Sequence, residues 1–187
     1  MCDIEEINEQ LTMEQPDSDT FFLSGEVNDG AFQSISSWIL KQNKEGKSKK
    51  LTLIINSVGG SIYSGFGIID MMLGSKIPVN TVAIGCAASM GFLIFISGKN
   101  RISTPNTTFL SHQYSLLNEG GKYHELLAGR KDQDFIAERF IEMYKKFCSK
   151  KITDKKIREE LLGKSDCYLT PKEVLDLGFC DEIKFLN

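Results

Sequence analysis

Apolar residues recur along this chain in two rhythms. Thr20-Phe21-Phe22-Leu23-Ser24-Gly25 reads as a strand ending at a turn. Ala31, Phe32, Ile35, Ile39 and Leu40 then fall at helical spacing, with Asn28 or Asp29 as the cap. Leu51-Thr52-Leu53-Ile54-Ile55 is a nearly continuous apolar run, as expected of a strand buried on both faces, and Asn56-Ser57-Val58-Gly59-Gly60 breaks it. Helical spacing returns from Ile62 to Leu73 through Phe66 and Ile69. Val79 to Ala87 predicts a second buried strand and Met90 to Ile96 a short buried helix, with further strands near Arg101–Ser103 and Thr108–Ser111. Strand and helix alternate across short connections. The pattern therefore predicts an α/β fold with right-handed βαβ crossovers and a mainly parallel sheet.

The texture changes after Gly120-Gly121. Ile136, Phe140, Met143, Tyr144 and Phe147 mark the apolar stripe of a long charged helix, and a shorter helix is expected from about Thr153 to Leu162. Thr170-Pro171-Lys172-Glu173 is a capping box with proline at the first helical position, and Gly178 closes that helix. The most apolar stretch, Val82 to Ser97, is interrupted by Gly85, Ser89 and Gly91. It falls short of the roughly 20 residues a spanning helix needs, so it reads as strand followed by helix, and no membrane partner is expected.

Composition adds limits. The chain has 187 residues, enough for one domain, taken as 20–187 behind an acidic arm at 1–19. Lys and Arg total 22 against 25 Asp and Glu, a net charge of −3 that gives no general attraction to nucleic acid. The five lysines between Lys41 and Lys50 read as a solvated loop. Five cysteines, with no Cys-x-x-Cys pair, argue against a disulfide framework or zinc ribbon and for a reducing, cytoplasmic setting. The arm carries acidic residues and no Lys or Arg, the reverse of a targeting peptide. With only two histidines, His112 and His124, a multi-histidine metal site is excluded, and no cofactor is expected.

Ser89 lies in Gly85-Cys86-Ala87-Ala88-Ser89-Met90-Gly91, at the predicted strand-to-helix junction. A nucleophilic serine lifted out of the backbone needs small residues two before and two after it, here Ala87 and Gly91. The helix beginning at Met90 would turn its free N–H groups toward a developing oxyanion. By itself the segment is equally a small-residue turn for helix–sheet packing. A serine nucleophile would need a histidine base. His112 ends the apolar strand Phe109-Leu110-Ser111, and His124 begins a charged helix that reads as solvent-facing. Asp166, before Cys167-Tyr168-Leu169, could be the orienting carboxylate or a plain loop aspartate. The Gly59-Gly60 turn matches no phosphate-binding pattern and reads as backbone that must approach something closely.

Phe22-Leu23-Ser24-Gly25, Ile55-Asn56-Ser57-Val58-Gly59-Gly60, Ala87-Ala88-Ser89-Met90-Gly91, Pro105-Asn106, His112-Gln113 and Asp166-Cys167-Tyr168-Leu169-Thr170 stand in the order found in the proteolytic subunit of the Clp protease. Over about Thr20 to Ile183 the chain resembles that ClpP family. The resemblance implies a ClpP/crotonase-like fold of repeated ββα units with a protruding handle helix, here about 122–149. It implies a Ser–His–Asp peptidase with Ser89 as nucleophile, His112 as base and Asp166 orienting it, and an oxyanion hole from the N–H groups of Gly60 and Met90. It also implies heptameric rings stacked as a tetradecamer, a hexameric AAA+ unfoldase as partner, and peptides or unfolded proteins as substrates. ATP would be used by the partner and not by this chain.

Several positions depart from the family pattern. Val58 replaces a proline, Tyr114 replaces another, Ser115 to Gly121 replaces a glycine-rich strand, and Ser165 replaces an arginine used between rings. Thr52 and Ile54 stand where tyrosines help form the ATPase docking pocket. Three alternatives follow: a non-catalytic ring subunit, a phage-encoded relative acting in capsid maturation or on host proteolysis, and an acyl-CoA enzyme of the crotonase type. The retained Ser89, His112 and Asp166 favour the peptidase over the first and last.

Overall fold

The computed structural model describes residues 18–113 and 123–186, with 123–133 as backbone alone. Its elements are β1 (Thr20–Val27), α1 (Asp29–Glu45), β2 (Leu51–Gly60), α2 (Ile62–Gly74), β3 (Val79–Ala88), α3 (Met90–Ile96), β4 (Arg101–Ser103) and β5 (Thr108–Ser111). There follow α4 (Tyr123–Phe147), α5 (Asp154–Lys156), β6 (Cys167–Leu169), α6 (Pro171–Leu177) and β7 (Glu182–Ile183). The caps are those the sequence predicts. Asn28 Oδ1 accepts the Ala31 N–H at 2.9 Å, and Thr170 and Glu173 close a reciprocal capping box at the start of α6.

The sheet runs β1-β2-β3-β4-β7, and every pairing on that path is parallel. It forks at β3. β4 pairs with Thr81–Ala83, whereas β5 pairs with Cys86–Ala88 further along the same strand, and β6 adds to β5 in antiparallel sense. The fold is thus the mixed α/β, parallel-sheet arrangement expected of the ClpP fold, and α4 is the expected long helix. Among the described residues no helix is long and apolar enough to cross a membrane.

Three regions differ from the sequence reading. First, β2 does not stop at Ile55 but runs on to Gly60. Its glycines stay in the sheet because β1 also continues, through Gly25, to pair Glu26 with Gly59 and Val27 with Gly60. Second, α1 passes Leu40 and absorbs the start of the lysine-rich stretch. Gln42 is buried there and its amide donates to the Ser18 carbonyl at 3.2 Å, which rewards one more helical turn before Gly46 ends it at φ +63°. Lys41, Lys44, Lys47, Lys49 and Lys50 are exposed. Third, the segment after Thr153 makes a single α turn and then widens into a π-type turn over Ile157–Leu161, closed by the Leu162 N–H on the Ile157 carbonyl at 2.8 Å. Widening buries both Ile157 and Leu161.

All seven residues of α3 are buried. Phe92 is their centre, with ring centroids 5.4 Å from Phe109 on β5, 6.1 Å from Tyr144 on α4 and 5.9 Å from Phe179 after α6. Such aromatic pairs contribute about 0.5–1.5 kcal/mol each beyond area burial. One cluster therefore joins the helix after Ser89 to the strand before His112.

Arg101, on β4, is a buried cation that closes the C-terminal side. Its Nε and Nη2 bond to the Asp181 carboxylate at 3.0 and 2.5 Å, and its backbone N–H reaches the same group at 2.8 Å. Nη1 donates to the carbonyls of Phe147, at the end of α4, and Gly178, at the end of α6. Burial disfavours the Asp181 carboxylate, but the Arg101 side chain, N–H and charge outweigh it and hold the carboxyl below its ordinary value. A depressed folded value means that stabilisation is present above the unfolded pKa, near 3.8, and is lost as pH falls through the folded one. Asp181→Asn is expected to melt lower than wild type at neutral pH, and thermal melts should converge as the pH falls through the depressed folded value of Asp181.

Candidate functional site

Ser89 occupies the turn between β3 and α3 with φ +53° and ψ −122°, and among the described residues it is the one non-glycine residue at positive φ. Such a conformation costs on the order of 1–3 kcal/mol and persists only where its surroundings fix it. Here the Ser89 N–H donates to the Leu110 carbonyl at 2.8 Å, and its carbonyl accepts from Phe92 and Leu93 at 3.0 and 3.2 Å. The flanking small residues are used as expected. Ala87 is fully buried, and a Cβ on Gly91 would stand 3.0 Å from the Ser57 carbonyl oxygen.

Strand register brings the other two residues near. Leu110 lies opposite Ala88, so His112 follows just past the end of β5, beside the Ser89 turn. β6 runs antiparallel to β5 with Cys167 opposite Ser111, and one further step sets Asp166 opposite His112. His112 Nδ1 is 3.9 Å from Asp166 Oδ1, longer than a hydrogen bond but within ion-pair reach. Both side chains are open to solvent, at 31% and 55% exposure. Among the described residues the Ser89 hydroxyl has no hydrogen-bond partner. The three residues are thus gathered at one end of the sheet without being locked together.

The glycine pair is close-packed, but against protein. At Gly59, φ is +93° and a Cβ would come 2.7 Å from Ser89 Cβ and 3.0 Å from the Met90 nitrogen. At Gly60, φ is +145° and a Cβ would run into the Val27 carbonyl and Glu26 Cγ. The end of β2 is therefore wedged between β1 and the Ser89 turn. The Met90 N–H stands ahead of the first intrahelical bond of α3, as one of the donors a helix start leaves free. The side chain of His124 and the segment Ser115 to Gly121 lie outside the described residues.

Sequence reasoning missed a polar relay behind His112. The Ser111 hydroxyl donates to the Leu161 carbonyl at 2.7 Å, so in its 2.6 Å contact with Tyr144 it accepts the phenol proton. Ser111 and Tyr144 are both about fully buried, and burial pushes the Tyr144 phenol far up, which keeps it neutral. The available signal was a hydroxyl inside the apolar run Phe109-Leu110-Ser111. Leu161 ends the widened turn of Ile157–Leu161, so its carbonyl has no partner within that turn and is free to accept.

Fold and site together define an α/β protein with a strained serine turn, a histidine and an aspartate collected at one end of a parallel sheet. A family model described as Clp protease matches residues 5–186. The chain belongs to the Clp protease family, a family of ClpP-type serine peptidases that generally form rings with AAA+ partners.

The relay can be tested by its asymmetry. Ser111→Ala strands the buried Tyr144 hydroxyl and the Leu161 carbonyl and should cost about 2–3 kcal/mol, whereas Tyr144→Phe leaves the Ser111–Leu161 bond intact and should cost about 1 kcal/mol. Urea denaturation midpoints measure both, and equal losses would contradict the place of Ser111 as the bridge between Tyr144 and Leu161.

Proposed function

We propose that the chain is an active serine endopeptidase of a self-compartmentalised ring, cleaving peptides and unfolded proteins. The observation that carries this reading is the strained Ser89 turn beside the His112–Asp166 pair. His112 accepts the Ser89 proton as Oγ attacks the scissile carbonyl, and Asp166 orients the imidazole and stabilises its cation. The N–H groups of Gly60 and Met90 receive the tetrahedral oxyanion. Protonation of the leaving amine by His112 gives an acyl-enzyme, which water then hydrolyses. The 3.9 Å between His112 and Asp166 must contract to a hydrogen bond of about 2.8 Å for this cycle, a small movement of solvent-exposed side chains.

Selectivity comes from assembly. The proposal includes heptameric rings, stacked in pairs through α4, which enclose the sites, and a cytoplasmic setting. A hexameric AAA+ unfoldase supplies substrate. Of the two positions aligned with docking tyrosines, Thr52 is half-buried and Ile54 is buried. Half-exposed Phe22, opposite Ile54 in the β1–β2 register, is the apolar group left on that face for a docking peptide.

A fluorophosphonate probe should label Ser89, and Ser89→Ala should abolish both labelling and cleavage of a short fluorogenic peptide while leaving the assembly size unchanged. Asp166→Asn should lower kcat by about 10³–10⁴. Peptide cleavage that survives in Ser89→Ala would overturn the reading. Degradation of a folded protein only with an added unfoldase and ATP would establish the partner.

A further inference from the structure

β2 and β3 change register at one place. Leu51 to Ile55 pair in step with Val79 to Ala83, but Ser57 pairs with Ala87. While β2 advances two residues, β3 advances four, so Ile84, Gly85 and Cys86 bulge out opposite Asn56. The β1–β2 ladder shifts at the same level, between Ser24 and Glu26. Asn56 therefore sits where three adjacent strands all bend. A bulge orphans backbone groups, and here the Asn56 side chain takes one of them: Oδ1 accepts the Cys86 N–H at 3.2 Å. Gly85, at φ +62°, makes room, since a Cβ there would lie 2.9 Å from the same oxygen.

The bulge has a direct consequence for the site. Extending the later register by two residues sets Gly59 level with Ser89, in agreement with the close approach of those two residues. Without the two extra residues Ala87 would stand level with Gly59, and Ser89 would overrun the end of β2. The Met90 nitrogen would then no longer lie beside Gly59, where a Cβ would now come 3.0 Å from it.

We infer that Asn56 is a positioning residue for the peptidase reaction: its side-chain carbonyl clamps the β3 bulge and so fixes the height of Ser89 and Met90 against Gly59 and Gly60. This rests on the reading of Ser89 as nucleophile. Asn56 acts through the backbone, and its effect should appear in the chemical step more than in peptide binding. A misplacement of about 1 Å can cost on the order of a hundredfold in rate.

The test uses the full chain, with labelling of Ser89 by a fluorophosphonate, peptide cleavage, and hydrogen exchange at the Cys86 amide. Asn56→Ala should label about ten- to a hundredfold more slowly, lower kcat in proportion with KM changed less than about twofold, and lose protection at Cys86. Asn56→Asp keeps an acceptor oxygen and should restore labelling to within about threefold of wild type, together with Cys86 protection. If Asn56→Ala does not fold, Asn56→Ser, whose hydroxyl is too short to span the bulge, carries the same expectations. Wild-type labelling and cleavage rates in the alanine or serine variant would overturn the inference, as would an aspartate variant slowed as much as alanine. Failure of the wild type itself to label would instead overturn the nucleophile reading beneath it, so the two failures are distinct.

Discussion

The backbone of β2 passes Ser89 at a distance no side chain could share: a Cβ on Gly59 would fall 2.7 Å from that of Ser89 and 2.8 Å from the Ala88 carbonyl. Much of the local sequence follows from that approach. Gly91 must be small because Ser57, two residues before Gly59, lies against it. Gly65 on α2 leaves the space into which the Met90 side chain packs. The Ser57 hydroxyl turns back to accept the Gly59 N–H at 3.1 Å, so the final stretch of β2 is braced from within. A serine at positive φ is then held by packing on one side and by the Leu110 carbonyl on the other.

The members of the site differ in how firmly they are held. Ser89 is fixed by the long central strand β3 and the wholly buried α3. His112 and Asp166 follow and precede β5 and β6, strands of only four and three residues at the fork of the sheet. Short strands with exposed ends are where local opening is least costly. The relay through Ser111, Tyr144 and Leu161 stiffens the inner side of β5, leaving the outer side, where His112 meets Asp166, free to adjust.

Most elements were legible because their apolar periodicity was strong, as in Leu51–Ile55, Val79–Ala87 and Met90–Ile96. The capping box at Thr170 and the asparagine cap at Asn28 were legible because capping is local chemistry. What was not legible depended on partners distant in sequence. Gly59 and Gly60 look like a strand break until β1 is seen to pair with them. The turn over Ile157–Leu161 looks like an ordinary helix until Ser111, on β5, claims the Leu161 carbonyl. Ser89 stood out by its small neighbours, but the proximity of His112 and Asp166 came from motif order and then from the β5–β6 register, since no local spacing links residues so far apart. Asn56 went unweighed because its partner is a backbone N–H exposed by a bulge, which no sequence pattern announces.

Arg101 also bears on how the chain reaches its folded state during synthesis. Its guanidinium and N–H are satisfied by Asp181, 80 residues later, and by the carbonyls of Phe147 and Gly178. A buried cation without its counter-charge is strongly disfavoured. While the chain emerges from its N-terminus, β1 to β3 can assemble early, but β4 carries an uncompensated charge until Asp181, 80 residues further on, has been made. A prematurely ended chain would keep that strand unsettled and its edge open. The same arginine that seals the finished fold therefore marks unfinished chains as incomplete.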